Sequence, residues 1–153
     1  RIIMEKYPDV EVIAGVATGA IAQGALVADA LGLPFVYVRS SAKDHGMKNL
    51  VEGYLEEGKK VVVVEDLIST GGSSLKAVAA LREEKQANVL GMVAIFTYQF
   101  PLAQEQFAAA NVELTTLSNY NALVEAAAEI NYIDESVVPT LQEWRKDPAN
   151  WQK

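Results

Sequence analysis

Short runs of β-branched apolar residues alternate along the chain with longer segments whose apolar residues recur at helical spacing. The clearest run, residues 60–65, contains four consecutive valines, a pattern typical of a strand buried on both faces of a parallel sheet. Strands that alternate with helices favour right-handed crossovers between parallel strands. We therefore predict an α/β fold in which a parallel sheet carries helices on both faces.

The ends of the predicted helices carry residues that start or stop a helix. Gly32 and Pro34 close the first long helix, and Pro101 begins a later one at its first turn, where its missing N–H costs nothing. The predicted elements, in chain order, are the end of a helix at 1–8, strand 10–16, helix 21–31, strand 35–39, a loop at 40–53, strand 60–65, a helix capped by Ser73 or Ser74 and ending at 84, strand 89–98, a helix from Pro101, strand 113–117, a helix at 120–127 capped by Ser118, and a helix at 134–145.

Composition narrows the class of protein. The 153 residues are 50% hydrophobic and 22% charged, which predicts one globular domain over residues 1–153. The 13 basic and 20 acidic side chains give a net charge of −7, which argues against nucleic-acid binding because neutralising phosphates needs excess basic charge. Cysteine is absent, and no apolar run has the roughly twenty residues of a membrane helix. We expect no nucleic-acid or membrane partner and, since no Met precedes Arg1, a longer parent protein.

The sharpest motif is residues 61–74, where a buried strand ends in two acids and leads through a Ser/Thr/Gly loop into a helix. Gly71 and Gly72 let backbone N–H groups converge on an anion, and the helix N-terminus adds partial positive charge. Glu65 and Asp66 do not suit phosphate, but carboxylates accept hydrogen bonds from sugar hydroxyls and help to hold Mg²⁺. The motif therefore predicts a ligand with a ribose and a 5′-phosphate, surrounded by the hydroxyls of Ser69, Thr70, Ser73 and Ser74.

The alternative for this motif is a turn and a capped helix with solvated acids. The coincidence of a buried strand, adjacent acids, two glycines and a hydroxyl cluster favours binding instead. Two competing phosphate motifs are missing, because no Lys follows Gly72 and no GxGxxG follows the first strand.

A second polar segment, residues 39–46, concentrates positive charge in an otherwise acidic chain. Its cations Arg39, Lys43 and His45 suit diphosphate, whose negative charge grows as it departs. A lone histidine is more often structural, and a charged loop is more often merely solvated. A third segment, residues 15–20, is equally well explained as a diphosphate-contacting loop or as a plain strand-to-helix turn.

Residues 61–74 resemble the phosphoribosyl-diphosphate signature of the type I phosphoribosyltransferases. The resemblance implies the Rossmann-like fold of that family, with Glu65 and Asp66 on the ribose hydroxyls. It also implies Mg²⁺ as cofactor, carried by the substrate, with Asp66 as a candidate ligand. The remaining contacts to phosphoribosyl diphosphate that it implies come from Ser69, Thr70, Gly71, Gly72, Ser73, Ala17 and Thr18.

Residues 39–46 resemble the catalytic loop of the orotate phosphoribosyltransferases. The resemblance implies transfer of a phosphoribosyl group to orotate in pyrimidine biosynthesis, with Lys43, His45 and Arg39 as catalytic residues and Ser69 touching orotate. It further implies a cytoplasmic homodimer in which residues 40–48 reach the neighbouring site, and a base-covering N-terminal segment that is absent here.

Three departures from that family concern single contacts. Ser40 and Gly19 stand at positions where some members have Lys. Some members also have an Arg that contacts orotate after the strand that corresponds to residues 89–97, and this chain has no Arg near residues 97–99. A purine phosphoribosyltransferase, a non-enzymatic sensor of phosphoribosyl diphosphate and a plain nucleotide-binding module are the alternatives. The cations of residues 39–46 argue against the first two.

Overall fold

A six-stranded sheet forms the centre of the fold in a computed structural model that describes residues 1–41 and 49–151. The strand order is β3-β2-β1-β4-β5-β6, in which all neighbours are parallel except β3, which runs antiparallel to β2 at one edge. The strands are β1 (Val12–Val16), β2 (Phe35–Val38), β3 (Val51–Glu52), β4 (Lys60–Ile68), β5 (Asn88–Thr97) and β6 (Leu114–Asn119).

Six α-helices connect and cover the described strands. They are α1 (Ile2–Lys6), α2 (Ala20–Leu31), α3 (Gly72–Lys85), α4 (Pro101–Ala109), α5 (Tyr120–Glu129) and α6 (Val138–Lys146), with 3₁₀ turns at Glu135–Val137 and Pro148–Asn150. The strand order reverses its direction between β1 and β4, and right-handed crossovers then place α2 on one face and α3 and α4 on the other. The predicted α/β fold is confirmed, and the reversal point is where ligands of such sheets bind.

The valine run makes β4 the buried centre of the sheet. Val61, Val62 and Val63 are fully buried, as are Ile13 on β1 and Met92 on β5. The helix α2 packs closely against β1 because Gly24 has no side chain. A Cβ at this position would lie only 3.2 Å from the Cα of Gly15. This packing fixes the strand ends from which the candidate site is built.

Several predicted boundaries were wrong, for local reasons. The strand β4 continues to Ile68 because its pairing with β5 continues to Ile68↔Thr97, so the two acids lie inside the strand. The predicted loop at 40–53 contains the strand β3, since the returning chain pairs Val51 with Val38.

Two predicted helix caps were also wrong. The helix α3 begins at Gly72 after an N-cap at Gly71, and no side chain caps it. Asn119 rather than Ser118 caps α5, because its Oδ1 accepts the N–H of Ala122 at 3.0 Å.

Candidate active site

The predicted site residues gather at the carboxyl edge of the sheet. Ala17 and Thr18 follow β1, Arg39 follows β2, and the acids of β4 lead into the phosphate loop, which we define as residues 69–73. The predicted catalytic residues Lys43 and His45 lie outside the described residues. The strands β1 and β4 are neighbours, so the loops that follow them meet at the reversal point of the sheet.

Glu65 is turned into the protein. It is only 4% exposed, and its Oε2 accepts the hydroxyl of Ser74 at 2.7 Å while its Oε1 accepts the N–H of Asp66 at 3.0 Å. Burial, and secondly the neighbouring carboxyl of Asp66, raises the pKa of Glu65 to about 7. Glu65 therefore titrates near neutral pH, unlike an ordinary surface glutamate.

Asp66 faces outward and lies against the loop that follows β1. Its Oδ1 accepts the N–H of Leu67 at 2.7 Å. A Cβ on Gly19 would overlap the Asp66 Oδ2, so no side chain fits at position 19 unless the carboxylate moves. Glycine at this position is thus explained by the contact between the loop that follows β1 and Asp66 of β4.

The phosphate loop opens directly into α3. Gly71 has a φ of +86°, which glycine adopts freely, and a Cβ there would lie 2.8 Å from the ring of Phe107. With no capping side chain, the amide groups at the start of α3 remain available to an anion. Ser74 was predicted beside the phosphate, but it is 1% exposed and its hydroxyl binds Glu65 instead.

Hydrogen bonds join the two chain segments that flank residues 42–48 to each other and to α3. The N–H of Arg39 donates to the carbonyl of Leu50 at 2.9 Å, and the Arg39 guanidinium lies 3.3 Å from Glu52. Glu84 accepts the N–H of Leu50 in both carboxylate oxygens, at 3.0 and 3.1 Å, and that of Val51 at 3.3 Å. These bonds fix the position of Arg39 relative to α3.

A cavity of about 470 Å³ joins several of these residues. Its lining includes Ala17, Arg39, Gly72 and Ser73, which were predicted from three separate segments of the chain. It also includes Lys76, which sequence reasoning missed. Lys76 follows the phosphate loop by one helical turn, and that spacing from Gly72 was the signal that would have identified it.

A second residue that sequence reasoning missed binds the turn after β5. Arg145, in the last turn of α6, donates from Nη1 to the carbonyl of Gln99 at 2.9 Å and to that of Tyr98 at 3.4 Å. No local sequence signal indicates this contact, because the two segments are 46 residues apart.

Two further properties concern the described part of the chain. Within residues 1–41 and 49–151, no group of three or more His, Cys, Asp or Glu side chains is arranged to hold a metal ion. No helix among these residues is long and apolar enough to cross a bilayer.

Comparison with known proteins decides the family. A family model for the phosphoribosyl transferase domain matches residues 2–112. Orotate phosphoribosyltransferase of Bacteroides fragilis is 61% identical over 152 residues, which are 99% of this chain and 71% of that protein. The chain belongs to the orotate phosphoribosyltransferase family. A second orotate phosphoribosyltransferase, from Bacteroides thetaiotaomicron, is 62% identical over 151 residues, with the same coverage.

Solved structures agree with this family membership. The orotate phosphoribosyltransferase of Aeropyrum pernix has a TM-score of 0.73 at 28% identity, over 86% of this chain and 73% of that one. The orotate phosphoribosyltransferase of Mycobacterium tuberculosis has a TM-score of 0.68 at 31% identity, over 80% and 70% of the two chains. The resemblance inferred from residues 39–46 and 61–74 is therefore confirmed at the level of the family.

Proposed function

We propose that this member of the orotate phosphoribosyltransferase family transfers the phosphoribosyl group of 5-phosphoribosyl 1-diphosphate to orotate. The products are orotidine 5′-monophosphate and diphosphate, a step of UMP biosynthesis. The bond from C1′ to diphosphate breaks, a bond from C1′ to a pyrimidine ring nitrogen forms, and that nitrogen loses its proton. The observation that carries this proposal is the acid pair in β4 followed by the glycine loop that leads into α3. This arrangement occurs in a chain that is 61% identical to an orotate phosphoribosyltransferase.

The ribose 5-phosphate would lie between the acids and the phosphate loop. Asp66 is half-buried near the carboxyl end of β4 and would accept hydrogen bonds from the ribose hydroxyls. The neighbouring carboxyl of Glu65, which is buried, would share this role. The 5′-phosphate would receive the amide and hydroxyl donors of Ser69, Thr70, Gly71, Gly72 and Ser73. Ser69, which is half-buried at the start of the loop, would also touch orotate.

The leaving diphosphate requires positive charge and positioning rather than a covalent nucleophile. Arg39 lines the same cavity as Ala17, so its guanidinium would meet the diphosphate beside the loop of Ala17 and Thr18. Lys43 and His45 would add charge from the neighbouring segment of the chain. Exclusion of water by residues 40–48 would protect the electron-poor C1′ from hydrolysis.

The chemistry of the donor set fits Mg²⁺ that arrives with the diphosphate. The described residues form no cage for a bare ion, but the outward carboxylate of Asp66 offers oxygen ligands to an ion that is mostly held by substrate and water. When bound, Mg²⁺ supplies positive charge to the leaving diphosphate. Asp66 would be the ligand from this chain.

Three further proposals follow from the resemblance. We propose that residues 1–153 form one domain of a homodimer, that residues 40–48 of each copy reach the neighbouring site, and that the enzyme works in the cytoplasm. Mixing a Lys43→Ala protein with a phosphate-loop variant checks the shared site, because regained activity requires sites formed by two copies.

The direct test of the activity is the loss of orotate absorbance with phosphoribosyl diphosphate and Mg²⁺. It is measured for this chain and for a form extended at its amino end to the length of the curated relatives. Turnover by either form supports the activity, and Lys43→Ala should then reduce kcat. If neither form consumes orotate while both are folded, the orotate assignment is refuted.

A further inference from the structure

Glu84, in the last turn of α3, uses its carboxylate to bind backbone amides. Its two oxygens accept the N–H of Leu50 at 3.0 and 3.1 Å, and one of them also accepts the N–H of Val51 at 3.3 Å. Hydrogen bonds to a charged acceptor are roughly twice as strong as those between neutral groups. Glu84 therefore holds the chain at residues 50 and 51 to α3.

The N–H that Glu84 accepts from Val51 and the carbonyl that binds Arg39 belong to one peptide group. The N–H of Arg39 donates to the carbonyl of Leu50 at 2.9 Å, and the other end of that peptide group is the N–H of Val51. A peptide group is planar and rigid, so a bond that fixes its N–H also fixes the direction of its C=O. Glu84 is thus connected to the backbone of Arg39 through a single rigid unit.

The side chain of Arg39 depends on the same short segment. Its Nη1 lies 3.3 Å from the Oε1 of Glu52, the second residue of β3. The strand β3 has only two residues, and so short a strand has little stability of its own. The bonds from Glu84 to the start of β3 therefore help to set the position of the Arg39 guanidinium.

A cavity of about 470 Å³ brings these residues beside the phosphate loop. Its lining includes Arg39, Leu50 and Glu84, as well as Gly72 and Ser73 of that loop. The helix α3 joins the two sides of the cavity, because it begins at Gly72 and carries Glu84 in its last turn. The position of Arg39 relative to the phosphate loop is therefore set through α3.

We propose that Glu84 is a positioning residue for the reaction, which holds Arg39 at the distance from the phosphate loop that the diphosphate of the substrate requires. This inference rests on the proposed function, in which the Arg39 guanidinium meets the leaving diphosphate. A charged group stabilises a leaving group best when it is already in place, and a displacement of about 1 Å can lower a rate roughly a hundredfold. Glu84 makes its contribution through Arg39 and needs no contact with the substrate.

The charge of Glu84 taken alone would oppose the binding of diphosphate, because like charges repel. Removing an acid from this cavity should therefore favour the binding of an anion, unless the acid has another role. Glu83 is the matched control, since it is the preceding residue of α3 and lines the same cavity. Its carboxylate has no partner among residues 1–41 and 49–151, so its loss removes the charge without removing bonds to residues 50 and 51.

The test is a double-mutant cycle between Glu84→Ala and Arg39→Gln, measured as kcat/KM for phosphoribosyl diphosphate with the active enzyme. We expect Glu84→Ala to lower kcat/KM at least about fivefold, with the KM for orotate within about twofold of its original value. In the Arg39→Gln background the same substitution should change kcat/KM by less than about twofold, because the group that Glu84 positions is already missing.

Two further variants separate charge and folding from position. Glu83→Ala should not lower kcat/KM, and Glu84→Gln should be intermediate because its amide oxygen still accepts a backbone N–H. The variants should remain folded, since Val51 is only 4% exposed and keeps β3 packed in the core, and thermal melts check this.

Three outcomes overturn the assignment of Glu84. The first is an unchanged kcat/KM in Glu84→Ala, and the second is an equal loss in Glu83→Ala, which would make the charge the cause. The third is a double variant whose loss is the product of the two single losses, which is the behaviour of a residue that acts independently of Arg39. Failure of the proposed function looks different, because the unsubstituted enzyme itself would then not consume orotate.

Discussion

Replacing Glu65 by glutamine should change how stability depends on pH. Glutamine keeps the shape of the side chain and an oxygen that accepts the hydroxyl of Ser74, but it does not titrate. The pKa of Glu65 is raised from 4.5 to about 7, so the folded protein holds this proton more tightly than the unfolded chain does. The stability linked to the proton is complete below pH 4.5 and is lost as the pH rises through 7.

The magnitude follows from the same two pKa values. As the pH rises from about 5.5 to about 8, deprotonation of Glu65 should lower the free energy of unfolding of the original protein by about 2 kcal/mol. The Glu65→Gln protein has no proton to lose at this position, so this contribution should be absent from it. Urea unfolding at both pH values, with chelator present so that no divalent ion binds the acids, measures the difference. Glu105→Gln on exposed α4 is the control, and because it keeps Glu65, its stability should change with pH in the same way as that of the original protein. If Glu65→Gln differs from the original protein by the same amount at both pH values, the argument from burial is refuted.

Three other substitutions test contacts at the site. Ser74→Ala leaves an oxygen of buried Glu65 without its donor and should lower the free energy of unfolding by about 1–3 kcal/mol in urea at pH 8, whereas an unchanged value contradicts the bond. Gly19→Ala forces the carboxylate of Asp66 to move and should raise the KM for phosphoribosyl diphosphate at least about tenfold. An unchanged KM would exclude Asp66 from the ribose site. Glu84→Gln weakens the bonds to two backbone amides, whose hydrogen exchange should accelerate at least about tenfold by NMR; equal protection would mean that Glu84 is dispensable.

The sequence predicted those features that depend on neighbours along the chain. The buried valines of β4, the start of α4 at Pro101 and the glycine loop before α3 each follow from local spacing and backbone preference. Family membership followed for the same reason, because the motif at residues 61–74 is continuous.

Features made by distant contacts were not predictable. The direction of the Ser74 hydroxyl depends on the exact residue at which α3 begins, which local spacing does not determine. Because α3 begins at Gly72, the hydroxyl donates to Glu65 and not to the predicted phosphate. The strand β3 has two residues and exists only because β2 offers a pairing partner. Arg145 reaches the end of β5 through the packing of α6, which no local pattern encodes.

The helix α3 carries the phosphate loop at its first residue and Glu84 near its last. An α-helix advances about 1.5 Å and turns about 100° for each residue, so these two features are separated by roughly 20 Å at a fixed angle. One residue inserted within α3 would rotate Glu84 away from the amides of Leu50 and Val51 while leaving the phosphate loop intact. The length of α3 is therefore constrained to its present helical phase.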